Sequence, residues 1–329
     1  MKKLFVLSLF MAFVVTITSC KKEESPSVKS ESSPLVQDLV GIQNGDIIPG
    51  KYIIILDEQP VKSQQNYETA QKEVRALAED ILSQSGLKSQ SISTCYSHSI
   101  KGFAAELSKE QAALIAKDER VIYVEQDQYV ILKKPDNPGG GGGGTTSQNT
   151  PYGITRVGGG ATYTGDNVVW ILDTGIDLDH PDLNVDVSRS VAFGQNTPDD
   201  GHGHGTHCAG TIAAIDNDFG VVGVAAGATV IAVRILDRRG YGATSDCIAG
   251  VDYVGANGVA GDVANMSVGY PASTALDQAV VNAASNGIYF ALAAGNDGLP
   301  TYNSPQPSPG RVNGNNIWTV SAMDSNDDF

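Results

Sequence analysis

Hydrophobic positions change their spacing along this chain, and each spacing predicts a kind of element. From Leu4 to Ile17 they run almost without a break behind Lys2 and Lys3, which has the length and charge of an export signal and is too short for a membrane span. Lys21 to Asp46 is polar and predicts a tether. Lys51-Tyr52-Ile53-Ile54-Ile55-Leu56 is rich in β-branched residues and predicts a strand. Between Tyr67 and Leu82 the apolar residues Val74, Ala76, Leu77, Ala78, Ile81 and Leu82 form the stripe of an amphipathic helix. A strand near Ser89 to Ser93 and another at Gly102 to Leu107 follow. Ser108-Lys109-Glu110-Gln111 has capping-box spacing and opens a helix through Leu114 and Ile115, and Val121 to Glu125 closes the unit as a strand. The order β-α-β-β-α-β is the ferredoxin-like α+β arrangement.

Pro135-Asp136-Asn137-Pro138 and the run Gly139 to Gly144 then predict a flexible linker, open to proteolytic nicking. Beyond it strands and helices alternate, as a parallel α/β sheet requires. Strands are expected at Val168 to Leu172, Val230 to Leu236, Asp262 to Val268, Ile288 to Leu292 and Ile317 to Ala322, and helices at Thr206 to Ala214, Thr244 to Ala256 and Thr274 to Ser285. No internal repeat is visible. The expected organisation is a signal at 1–20, a tether at 21–46, an α+β module at 47–133, a linker at 134–150 and a parallel-sheet domain at 151–329.

Composition adds a class and a sign. With 41% hydrophobic and 18% charged residues the chain is globular rather than disordered. Residues 151–329 hold six Arg and nineteen Asp with no Lys or Glu, so nearly all of the net charge of -15 lies there. Such a surface argues against nucleic acid as a partner, because phosphate binding needs Lys and Arg clusters. With Cys20 set aside, Cys95, Cys208 and Cys247 are an odd number from which no disulfide framework can be read. Ile17-Thr18-Ser19-Cys20 resembles a bacterial lipobox, which implies acylation of Cys20 and an exported, membrane-anchored lipoprotein. Of the others, Cys208 is expected to be a buried, inert thiol and Cys247 a core residue.

The chemistry-bearing residues cluster in two places. Val168-Val169-Trp170-Ile171-Leu172-Asp173-Thr174-Gly175 is an apolar run that delivers a carboxylate to the carboxyl end of a buried strand, where open α/β sheets place functional groups. Gly201-His202-Gly203-His204-Gly205-Thr206-His207-Cys208-Ala209-Gly210-Thr211 is a loop that brings His204 to the start of a helix pressed against other backbone. Together these motifs resemble the subtilases, the subtilisin-like serine proteases, and among them the proteinase K-like branch, which also has Cys at the position of Cys208.

The resemblance implies that Asp173 orients His204, that His204 is the general base, and that Asn296 donates its amide to an oxyanion. Gly-Asn-Asp is also ordinary turn chemistry. It further implies a peptide groove between Gly240-Tyr241-Gly242 and Ser267-Val268-Gly269, with Ala294 and Gly295 walling a pocket for apolar or aromatic side chains. The 47–133 module resembles the family's inhibitor-type propeptide through Gly102-Phe103-Ala104-Ala105 and Tyr123-Val124-Glu125-Gln126-Asp127, and Pro151-Tyr152-Gly153-Ile154 resembles a mature start. The expected substrate is polypeptide and the expected inhibitor the chain's own propeptide. Processing between Lys133 and Thr150 then leaves the lipid on the propeptide side and an extracellular protease on the other.

No Gly-Thr-Ser-Met-Ala segment occurs before Phe329, and Ser267, a half-match to a nucleophile elbow, lies on the expected substrate strand. The expectation is therefore a truncated record, inactive as it stands. No cofactor is required for catalysis; structural calcium among the Asp residues is compatible with the family, with its ligands unassigned. Two alternatives stay open, a peptide-binding pseudoprotease and a metal-dependent hydrolase using His202, His204 and His207. A zincin-like site also needs a Glu, which residues 151–329 lack. His207 is expected to be satisfied within the helix, and His202 to be an exposed residue at the rim.

Overall fold

The computed structural model describes residues 35–36, 46–57, 66–88, 91–132, 147–296 and 307–326. The expected export signal, Cys20 and the glycine run lie outside them. The first module contains β1 (Ile47–Leu56), α1 (Tyr67–Gln84), β2 (Ile92–Tyr96), β3 (Gly102–Glu106), α2 (Lys109–Ile115) and β4 (Val121–Ile131). Its strands form an antiparallel sheet in the order β4-β1-β3-β2. The capping box forms as its spacing predicts: Ser108 Oγ accepts from the Gln111 N–H, and Gln111 Oε1 from the Ser108 N–H.

Two expectations shift. β2 begins at Ile92 rather than Ser89, because Ile92, Cys95 and Tyr96 are the side chains it buries. β4 continues six residues beyond Glu125, with Gln126 and Gln128 paired to β1 and residues 129–131 paired to a strand of the second domain, described below.

The uninterrupted apolar run of β1 follows from burial on two sides. Tyr52, Ile54 and Leu56 pack with Val74, Ile81 and Ile115 from α1 and α2, whereas Ile53 and Ile55 join the core of the following domain. A half-exposed antiparallel strand would alternate; one covered on both faces need not.

The second domain contains β5 (Val169–Asp173), α3 (His204–Ala213), β6 (Thr229–Arg234), β7 (Tyr241–Ala243), α4 (Thr244–Asn257), β8 (Val263–Met266), α5 (Thr274–Ser285), β9 (Tyr289–Ala293) and β10 (Ile317–Val320). Its parallel sheet has the order β10-β9-β8-β5-β6, with the short strands Asn184–Val185 and Val191–Ala192 pairing to β6. Trp170 and Leu172 of β5 share one core with residues of α4 and α5, while Val169 and Ile171 share another with Ala209 and Ala213 of α3. The Trp170 indole N–H, buried in that first core, donates to Asp262 at 3.0 Å. From β5 the chain goes first to β6 on one side and then to β8 on the other. The carboxyl end of β5 is therefore a topological switch point, where adjoining connections part and leave a crevice.

The two modules share one core and several directed hydrogen bonds. Asp252 of α4, fully buried, accepts backbone N–H bonds from Ser97, His98 and Ser99 at 2.9, 2.7 and 2.7 Å. Among the described residues no helix is long and apolar enough to cross a membrane.

Candidate active site

Asp173 is the last residue of β5 and has no exposed surface. His204 opens α3, and its Nδ1 lies 2.8 and 2.9 Å from the two Asp173 carboxylate oxygens. The imidazole is partly open, at 29% side-chain exposure, so one nitrogen is tied to a buried carboxylate while the ring still meets solvent. Asp173 raises the ring's proton affinity, Cys208 adds in the same direction and burial opposes, leaving His204 well above the ordinary histidine value, at about 10. With its tautomer set by Asp173, such an imidazole can take a proton from a nucleophile.

The loop ahead of α3 explains how His204 is held. Gly203 adopts φ 98°, a left-handed conformation that suits glycine. At Gly205 a side chain would collide with the Gly175 carbonyl and come within 3.1 Å of Asp173 Cβ, so the dyad requires glycine at this contact. Asp200, which sequence reasoning missed, accepts from the His202, Gly203 and Thr206 N–H groups and the Thr206 hydroxyl at 2.6–3.0 Å. Burial alone would raise its pKa, but these donors hold it below the usual carboxylate value. An Asp just before a helix was the available signal.

The other histidines part from expectation. His202 is half-buried rather than exposed: its ring centroid is 6.4 Å from that of His204, and its Nδ1 is buried without a partner among the described residues. His207 is exposed on α3 rather than satisfied within it. The metal-capable group among the described residues is Asp173, His204 and Cys208, so the three histidines do not assemble as the metal-hydrolase alternative requires. The reason is geometric, since α3 turns His204 toward β5 and leaves His207 on its solvent side. Cys208, expected to be buried, is half-buried one turn along from His204, with Sγ 3.9 Å from Nδ1. Cys247 is buried as expected, and burial pushes its thiol up to about 12.

One expected groove edge is occupied. β4 pairs antiparallel with β7 in the register Tyr241 with Ile131, Gly242 with Val130 and Ala243 with Tyr129, and the Leu132 N–H donates to the Gly240 carbonyl at 2.8 Å. This is β-augmentation by the chain's own first module. On the other edge Val268 is buried, Gly269 exposed, and Ser267 accepts from the Asn265 amide at 2.9 Å. His204 makes no hydrogen bond with Ser267. Ala294 and Gly295 follow β9, with the Ala294 N–H on the Val320 carbonyl. Asn296 is exposed beside them, at the same carboxyl edge of the sheet as Asp173 but with no hydrogen bond to the dyad.

Residues 165–329 match the description "Subtilase family", and residues 51–133 match "Peptidase inhibitor I9". The chain belongs to the subtilase family. The chain is 41% identical over 206 residues to Subtilisin E of Bacillus subtilis (strain 168), covering 60% of this chain and 50% of that protein. An extracellular serine proteinase of Thermus sp. (strain Rt41A) is 32% identical over 304 residues, 88% of this chain and 70% of that protein. A solved cold-adapted subtilisin-like serine proteinase is 37% identical with a TM-score of 0.40, covering 50% of this chain and 62% of that one. The chain thus spans half the length of the subtilisin it matches. The inhibitor match covers the ferredoxin-like module, whose β4 sits on the subtilase domain at β7.

Proposed function

We propose that the full-length protein is a serine endopeptidase made as an exported zymogen, with residues 47–133 as its propeptide, 134–150 as a cleavable linker and 151–329 as part of its peptidase domain. The observation that carries this reading is the Asp173–His204 pair at the switch point, beside an edge strand already pairing with extended backbone. In the mechanism Asp173 fixes the His204 tautomer, and His204 takes the proton of a serine hydroxyl as it attacks the peptide carbonyl, then returns that proton to the leaving amine. The serine belongs to full-length protein outside residues 1–329, and Asn296 stabilises the oxyanion. Substrate lies where β4 now lies, with Gly240, Tyr241 and Gly242 on one side, Ser267, Val268 and Gly269 on the other, and Ala294 and Gly295 at the pocket wall. Acylated Cys20 anchors the zymogen, and processing frees the protease.

Structural calcium is part of this proposal. Asp182, 3% exposed, lies against the loop 215–221, where the Asn217 amide donates to it at 2.6 Å and the Gln148 amide donates to the Ile215 carbonyl at 2.8 Å. Rotating those two amides, which would give up the bond from the Phe219 N–H to Asn217 Oδ1, would offer calcium oxygens of the hard type it prefers from Gln148, Asp182, Ile215 and Asn217.

The test is Asn296→Ala in the full-length enzyme. Loss of one oxyanion donor lowers the turnover number by about 10²–10³ with little change in KM. An unchanged turnover number removes Asn296 from the mechanism.

A further inference from the structure

The contact between β4 and the two helices behind it buries two carboxylates of β4. Glu125, 6% exposed, accepts from the Ala275 N–H at 3.2 Å in the first turn of α5. Asp127, with no exposed surface, accepts from the Ser245 N–H at 3.0 Å and the Ser245 hydroxyl at 2.6 Å in the first turn of α4. Asp246, the next residue of α4, is a half-buried third carboxylate that lies against Gly194 of its own domain and acts on the contact through its charge interaction with Asp127. Among the described residues none of the three forms an ion pair: Arg311 is engaged by Asp277, and Lys51 of β1 acts on Asp127 and Asp246 from a distance. Tyr123 of β4 and Asp277 of α5 also face Glu125. At the far end of the contact lie Asp252, held by backbone N–H groups, and His98, whose Nδ1 meets the Ser97 hydroxyl.

We propose that this contact is a pH-dependent clasp, tightest in acid solution and loosened as pH rises to neutrality, so that loss of acidity releases the first module from the subtilase domain. The clasp rests on reading that module as the domain's inhibitor. Two opposed effects act on its carboxylates. The helix N-termini favour their charged forms, while removal from water disfavours them. Burial wins at each: it raises Glu125 to about 7 against bonds from Ser273 and Ala275, raises Asp246 to about 6 with Asp127 adding to it, and raises Asp127 as well.

On separation Glu125 and Asp127 return to water and toward their ordinary values of 4.5 and 3.8. The complex therefore holds protons that the separated partners release. Its affinity is full below the ordinary carboxylate values and falls as pH rises through the raised ones, from about 4.5 to 7 for Glu125.

The test measures binding, not catalysis. Full-length protein is processed, and the dissociation constant of the noncovalent pair is read at pH 5.5, 7.0 and 8.5 for the natural chain, Glu125→Gln and Asp246→Asn. The natural pair should weaken more than about tenfold from pH 5.5 to 8.5. Glu125→Gln keeps an acceptor for the Ala275 N–H without the charge, so it should flatten the profile and bind more tightly than the natural chain at pH 8.5. Asp246→Asn, made on the opposite partner, should flatten it in part. A natural profile that is flat or tightens with pH overturns the clasp, as does a Glu125→Gln slope equal to the natural one. A clasp that behaves as predicted on a domain that cuts no peptide contradicts the protease reading instead.

Discussion

His204 ties one local distance to a measurable pH. Its Nδ1, 2.8 Å from Asp173, is held so that the ring keeps its proton well above 6.5, to about 10. The pair's contribution to stability is therefore full below the ordinary histidine value and fades as pH rises through the raised one. Because only the neutral ring can accept a proton, the acid limb of kcat/KM should lie on the alkaline side of 6.5. A pH profile of peptide hydrolysis measures it, and a limb at or below 6.5 contradicts the geometry. Sequence reasoning singled out these two residues because an apolar run ends at Asp173, glycines surround His204, and both motifs resemble those of the subtilases. It missed Asp200 because a single Asp in a loop looks the same whether it caps a helix or faces water. It misjudged Cys208 because small neighbours predict close packing without saying which side chain stays half open.

At the scale of elements, β4 shows where local patterns stop being enough. Residues 126–131 lie beyond the strand expected at Val121 to Glu125: Gln126 and Gln128 pair with β1, and Tyr129, Val130 and Ile131 pair with β7, more than a hundred residues away. Their alternation has a consequence that can be checked. Val130 is 1% exposed and Ile131 is 47% exposed. Val130→Asp buries a charge without a partner and should abolish the module's grip on the subtilase domain, whereas Ile131→Asp should change its affinity by less than about threefold. Inhibition of the processed enzyme by each variant module decides between them, and equal effects would mean that the faces of β4 have been misassigned. The run Ile53-Ile54-Ile55 carried the complementary clue, since neither of its two buried faces shows in an alternation count.

For the molecule as a whole, the sequence made the order of the two modules and the parallel sheet legible, because element type follows from spacing. The contacts between modules were not legible, since Asp252 meeting three consecutive backbone N–H groups depends on tertiary placement alone. The residues proposed to hold calcium were hidden for the same reason, as Gln148, Asp182 and the loop 215–221 are brought together only by folding. Chelator should lower the unfolding temperature of the processed enzyme by several degrees and Asp182→Asn should remove that response, which thermal unfolding with and without calcium measures. An unchanged response in Asp182→Asn would place the ion elsewhere. The central claim is that Asp173 and His204 serve a serine nucleophile in the full-length protein, and labelling with a serine-directed fluorophosphonate tests it most directly. The natural full-length chain should be labelled at one serine outside residues 1–329, and His204→Ala should be neither labelled nor processed. Labelling at Ser267, or undiminished labelling and processing in His204→Ala, would contradict the account.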